Sequence, residues 1–145
     1  MPMPRRKARE QALQALYQID LTGIKPEEAL EALYPETPVP EGIDPFLVKL
    51  VYGTTKHFQQ LDPLIQQHLI GWDLRRLSVV DRNIMRLALF EMIHLDTPVP
   101  VVLDEAVELA KTFSTDEGRR FINGVLSSAS RHIQKEALAP DEEQS

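Results

Sequence analysis

The stretch Val79 to Leu95, VVDRNIMRLALFEMIHL, is apolar on nearly every side. Ile84, Met85, Leu87, Ala88, Leu89, Phe90, Met92 and Ile93 leave no continuous polar stripe between them. A helix of that composition belongs at the centre of a bundle, surrounded by other helices. Ser78 followed by Asp81 has the spacing of a capping box with Asp in place of Glu, which sets its start. Thr97-Pro98-Val99-Pro100 stops it.

Working outward, the flanking segments are amphipathic. Downstream, Val102, Ala106, Leu109, Ala110 and Phe113 repeat at helical spacing. Ser114-Thr115 then caps a last helix with Ile122, Val125, Ala129 and Ile133 on its inner face. Within it, Asn123-Gly124 is read as a place where another helix approaches closely. Asp104, Glu105 and Glu108 fall near the start of the preceding helix, where they favour its dipole. Upstream, Trp72 and Leu74 to Leu77 form a short connector. Asp62-Pro63 reads as the start of a helix ending near Gly71, and Asp44-Pro45 as the start of one with the stripe Leu47, Leu50, Val51, Thr54, Phe58 and Leu61. Residues 35–45 are a proline-rich loop. Pro26 opens a short helix with Ala29, Leu30 and Leu33 inside.

The first helix is predicted over Arg5 to Leu21, with Ala8, Ala12, Leu13, Leu16, Tyr17 and Leu21 as its stripe. Arg5, Arg6 and Arg9 fall in the same angular sector as Leu13 and Leu16, one to two turns earlier. Burying arginines is costly. The expectation is that this helix runs off the edge of the core, or starts unwound, and leaves its arginines at the bundle surface. The fold class that follows is all-α: about seven helices in two packed sub-bundles, one over about residues 5–71 and the other over about 78–135. Together they make a single domain over 1–135, followed by an acidic tail over 136–145 that reads as disordered.

The composition agrees. The chain has 145 residues, a size typical of one domain, and no cysteine. That excludes disulfide frameworks, thiolate metal sites and cysteine nucleophiles, and fits a reducing cytoplasm. No apolar run approaches the roughly 18 residues of a membrane span. The net charge is −6 but unevenly placed. Arg5, Arg6, Lys7 and Arg9 face only Glu10 within the first ten residues. The rest of the chain carries 12 basic and 21 acidic side chains. A basic arm on an acidic body is either an anion-binding segment or a solvated tail.

Catalytic constellations are missing from the pattern. His57, His68, His94 and His132 are scattered, with no HExxH pairing. The six glycines are isolated, and no phosphate-cradling Gly-rich loop occurs. Glu91, inside the central helix, reads as a buried carboxylate satisfied by an arginine, with a raised-pKa acid as the alternative. The expectation is therefore no enzyme and no cofactor. Three basic groups suit nucleic acid better: the RRKAR arm with Tyr17 two turns beyond Arg9, the Arg119-Arg120-Phe121 cluster, and Arg75, Arg76, Arg82 and Arg86. Tyr17 and Phe121 can offer a ring to an unpaired base or pack in the core. Arg82 and Arg86 can reach a partner or pair with Glu91 or Asp81. A protein-binding module that uses the acidic body remains the competing reading.

Four blocks, RRKAREQALQALYQ, LSVVDRNIMRLALFEM, VPVVLDEAVELAKTF and RFINGVLSS, resemble the bacterial transcription antitermination family NusB in order and spacing, over about residues 5 to 128. The resemblance implies a fold of two helical sub-bundles and a function without chemistry. It implies binding of a single-stranded boxA RNA element in nascent transcripts, notably ribosomal RNA leaders, together with ribosomal protein NusE. The pair then helps load an antitermination complex on RNA polymerase. It assigns RNA contact to Arg5, Arg6, Lys7 and Arg9, with Tyr17, Arg82, Arg86 and Phe121 as further RNA residues. It makes Asp81 a partner or RNA-edge residue and Glu117 a residue that tunes affinity by repelling phosphate; Arg75 and Arg76 fall at partner-contact positions where more acidic character is expected in relatives. Some relatives also self-associate as homodimers that hide the RNA arm.

Overall fold

The computed structural model describes residues 2–138. Among them are seven α-helices and one 3₁₀ turn: α1 (Arg5–Thr22), α2 (Pro26–Leu33), α3 (Pro45–Lys56), α4 (Phe58–Gln66), the 3₁₀ turn Leu74–Arg76, α5 (Val79–His94), α6 (Val99–Phe113) and α7 (Asp116–Leu138). The apolar run quoted above is α5. Every residue over 83–92 is buried. The helix touches α1, α3 and α4 on one side and α6 and α7 on the other. An all-round apolar helix forms here because five neighbours cover it.

Local chemistry sets the helix ends. Asp44 Oδ1 accepts from the backbone N–H groups of Phe46 and Leu47 at 3.0 and 3.3 Å. Ser78 Oγ accepts from Asp81 N at 3.1 Å. Thr115 Oγ1 accepts from Gly118 N at 2.9 Å. Each satisfies donors that a helix start leaves without partners. Gly23 closes α1 at φ 74°, the left-handed geometry that glycine adopts without strain.

Four expectations need correction. The predicted third helix breaks at His57, whose Nδ1–H donates to the Gly53 carbonyl at 2.7 Å. Asp62-Pro63 starts nothing, and Pro63 lies inside α4. The reason is that the Asp62 carboxylate is engaged by Arg86, with Nε–Oδ1 and Nη2–Oδ2 distances of 2.7 Å, and so does not cap. Gly124 admits no neighbouring helix. It is exposed, and a Cβ there would meet nothing within 4 Å. The close approach occurs at Gly53 instead, where a Cβ would run into the Phe90 ring. Finally, α7 continues to Leu138, so residues 136–138 of the acidic segment are helical. Residues 139–145 lie outside the described residues.

Candidate nucleic-acid interface

The basic arm is the first turn of α1, fully helical from Arg5. Arg5 is exposed, with its guanidinium 4.1 Å from the Phe46 ring centroid. Arg6 pairs with Glu105 of α6 through Nε–Oε2 at 3.3 Å and Nη2–Oε1 at 3.1 Å, yet its side chain stays 59% exposed. The Glu105 hydrogen bonds hold the Arg6 guanidinium above its ordinary range. Lys7 is exposed and has no ion pair among the described residues. Three cations therefore face solvent at one end of the bundle.

Arg9 departs from the expectation that the whole arm lies at the surface. It is 5% exposed and forms a two-point pair with Glu91, Nε–Oε2 at 2.7 Å and Nη2–Oε1 at 2.8 Å. Thr97 Oγ1 donates to the same carboxylate at 3.0 Å. The Glu91 hydrogen bonds hold the Arg9 guanidinium above its ordinary range. Burial is tolerable because the charge is matched and hydrogen-bonded. Glu91 is the arginine-satisfied carboxylate that its position suggested, but Arg9, and not the 75–86 basic group, is the partner. Arg9 cannot also serve a phosphate.

Arg82 and Arg86 are likewise turned inward, contrary to their reading as RNA contacts. Arg82 Nε donates to Asp20 Oδ2 at 2.8 Å, and Arg86 Nη1 reaches the same oxygen at 2.9 Å while its other nitrogens hold Asp62. Buried Asn83 donates to Asp20 at 2.9 Å, and the Arg86 guanidinium lies 4.2 Å from the Phe58 ring centroid. Burial pushes the Asp20 carboxyl up. The Arg82 and Asn83 hydrogen bonds outweigh it and leave Asp20 below its ordinary range. This network ties α1 and α4 to α5. Neither Asp81 nor Glu91 takes part in it.

Tyr17 is 37% exposed. It lies eleven residues after Arg6, so helix geometry places both on one side of α1, roughly 16 Å apart. Tyr17 lines a groove of about 670 Å³ with Leu13, Leu33, Val80 and Phe113. On the other side of the α5 N-terminus is a second cleft, of about 310 Å³. It brings together Asp81, Glu117, Phe121 and Arg76 from the sequence reading, plus Trp72. Phe121 is half-buried and packs against the core, with part of its ring left to the cleft. Ser114 Oγ donates to Asp81 Oδ1 at 2.5 Å and pins that carboxylate. Arg75 is taken up locally: its Nε and Nη2 hold Asp73 at 3.2 and 2.8 Å, and the Asp73 carboxyl is lowered to about 2 by those hydrogen bonds.

Trp72 is the residue that sequence reasoning passed over as connector. The available signal was an only tryptophan beside a glycine and off any apolar stripe. No group of three or more His, Asp or Glu that could hold a metal ion occurs among the described residues. No helix among them is long and apolar enough to cross a membrane.

The described residues thus form a helical bundle with a cationic rim and two solvent-facing grooves beside the α5 N-terminus. The NusB family matches residues 6–131, and the chain belongs to that family. It is 48% identical over 134 residues to the transcription antitermination protein NusB of Bacillus subtilis, covering 92% of this chain and 99% of that one. It resembles the solved T. maritima NusB with a TM-score of 0.81 and 34% identity, covering 90% of this chain and 93% of that one. A crystal structure of the antitermination factors NusB and NusE in complex with double-stranded RNA matches with a TM-score of 0.77 and 31% identity, over 88% and 96% of the two chains.

Proposed function

We propose that this chain is a non-enzymatic transcription antitermination factor. It binds a boxA-type single-stranded RNA element of nascent transcripts, notably ribosomal RNA, together with ribosomal protein NusE. The pair helps assemble the antitermination complex on RNA polymerase, in the cytoplasm where transcription runs. The observation that carries the RNA reading is the outward display of Arg5, Arg6 and Lys7 on an otherwise acidic protein. The likeness to the NusB–NusE–RNA assembly supports both partners.

Phosphate contacts from the arm supply affinity, and unpaired bases meeting Tyr17 and Phe121 supply preference. Asp81 and Arg76 sit in the cleft beside Phe121, at the edge where a protein partner and RNA would adjoin. Glu117, exposed in the same cleft, repels phosphate there and tunes affinity. With about three phosphates neutralised by Arg5, Arg6 and Lys7, the log–log salt slope is roughly −2, at 0.7 per phosphate for single strands. We read residues 1–135 as one binding unit.

The test is fluorescence anisotropy of a labelled boxA-type RNA and a scrambled control, with and without NusE. Tighter binding to boxA, strengthened by NusE, supports the reading. Equal weak binding to both RNAs, unchanged by NusE, overturns it.

A further inference from the structure

Trp72 is 55% exposed in a molecule that buries most of its large apolar side chains. Its backbone is nevertheless held. Gln66 Nε2 donates to the Trp72 carbonyl at 2.7 Å, and Gln66 Oε1 accepts from Leu74 N at 2.9 Å. Arg82 Nη1 donates to the Leu74 carbonyl at 3.3 Å, and the Leu74 side chain is buried. Gly71, at φ 76°, makes the left-handed turn just before it. One glutamine side chain thus bridges the connector across Asp73, from the Trp72 carbonyl to the Leu74 N–H. The held backbone sets the place on the surface from which the exposed indole projects.

The ring shares its cleft with Phe121, which the second, independent element α7 supplies. At about 310 Å³ the space is at the lower limit for a small-molecule site and too small for a helix. Gly118 lines it beside Asp81 and Ser114, and a Cβ at Gly118 would collide with both side chains. Arg76, exposed and without an ion pair among the described residues, lines it too. Asp81 and Glu117 offer carboxylate oxygens, which accept from base amino groups. Aromatic rings, carboxylate acceptors and a cation without an ion pair among the described residues, all lining one small cleft, match a nucleotide: base, edge and phosphate.

We propose that Trp72 and Phe121 form a slot for one unpaired nucleobase of the bound RNA, with Arg76 meeting the adjoining phosphate. This rests on the RNA-binding reading above. Trp72 is the chain's single tryptophan, so intrinsic fluorescence reads this slot alone.

The experiment is titration of the full chain with unlabelled boxA-type RNA, followed by tryptophan fluorescence. It runs in parallel with anisotropy of labelled RNA on wild type, Trp72→Phe, Trp72→Ala and Arg76→Ala. The expected results are quenching of Trp72 on RNA addition, and roughly tenfold weaker binding for Trp72→Ala, in line with stacking on one base. The salt slope of Trp72→Ala stays unchanged, and Trp72→Phe largely restores affinity. Arg76→Ala makes the slope shallower by about 0.7. Wild type that fails to bind RNA sinks the functional reading itself. Wild type that binds RNA with unchanged tryptophan emission, and Trp72→Ala that binds equally well, overturns the slot alone. Emission that responds to NusE and not to RNA overturns it in favour of a protein contact.

Discussion

Arg9 and Glu91 form a two-point ion pair across the α1–α5 interface, with both side chains almost wholly enclosed. The pair divides the arginine-rich segment into two parts. Arg5, Arg6 and Lys7 face outward, and Arg9 holds the helix to the core. Removing one partner leaves a buried charge without its match. Arg9→Ala is therefore expected to lose about 3–5 kcal/mol of folding stability in urea denaturation. Arg9→Met with Glu91→Leu should recover most of that loss. A destabilisation below about 1 kcal/mol for Arg9→Ala would show that the pair contributes little.

The two helical glycines with opposite surroundings make a second test. Gly53 lies under the Phe90 ring, and Gly124 faces open space. Gly53→Ala should cost about 1–3 kcal/mol through overpacking. Gly124→Ala should stabilise the protein by about 0.4–1 kcal/mol, because it restricts the unfolded chain and improves helix propensity. Thermal or urea unfolding of the two variants side by side checks both signs. A stabilising Gly53→Ala would mean that Phe90 moves aside freely.

Acid sensitivity should begin with histidines. Burial, then His132 and Arg131, lower the His68 pKa below 6.5, and burial, then His57, lowers that of His94. The fold thus favours the neutral rings, and the unfolded chain binds more protons just below pH 6.5. Their contribution is full above pH 6.5 and is lost as pH falls through the lower folded values. The urea midpoint should drop between pH 7 and pH 5.5, and drop less in His68→Gln/His94→Gln. An identical drop in the double variant would assign the effect to other groups. Asp20, whose folded pKa lies below 3.8, adds stability that is lost only in stronger acid.

The helical architecture was legible because the apolar periodicity of α5 and α6 is unambiguous and prolines mark most boundaries. The failure of Asp62-Pro63 to start a helix was not, because it depends on Asp62 being engaged by Arg86, a contact 24 residues away. The same limit hid the fate of the arginines. Helical phase showed that Arg9 shares a sector with Leu13 and Leu16, and the cost of burying charge argued it outward. The missing fact was a carboxylate 82 residues along the chain. Arg82 and Arg86 were misplaced for the same reason, since Asp20 and Asp62 meet them only in the folded bundle. Asp81 is far in sequence from Glu117 and Phe121, which are neighbours on one helix face, and their meeting in one cleft follows from the starts of α5 and α7 lying together.

The most direct test of the central claim is the salt dependence of RNA affinity for wild type, Arg5→Ala/Lys7→Ala and Arg9→Met/Glu91→Leu. The account predicts a wild-type log–log slope of roughly −2 from the arm, or roughly −3 with Arg76 as a fourth contact, shallower by about 1.4 in Arg5→Ala/Lys7→Ala and unchanged in Arg9→Met/Glu91→Leu. A slope that stays the same without Arg5 and Lys7, or that falls with loss of Arg9, would contradict the division of this segment into an RNA-facing turn and a core anchor.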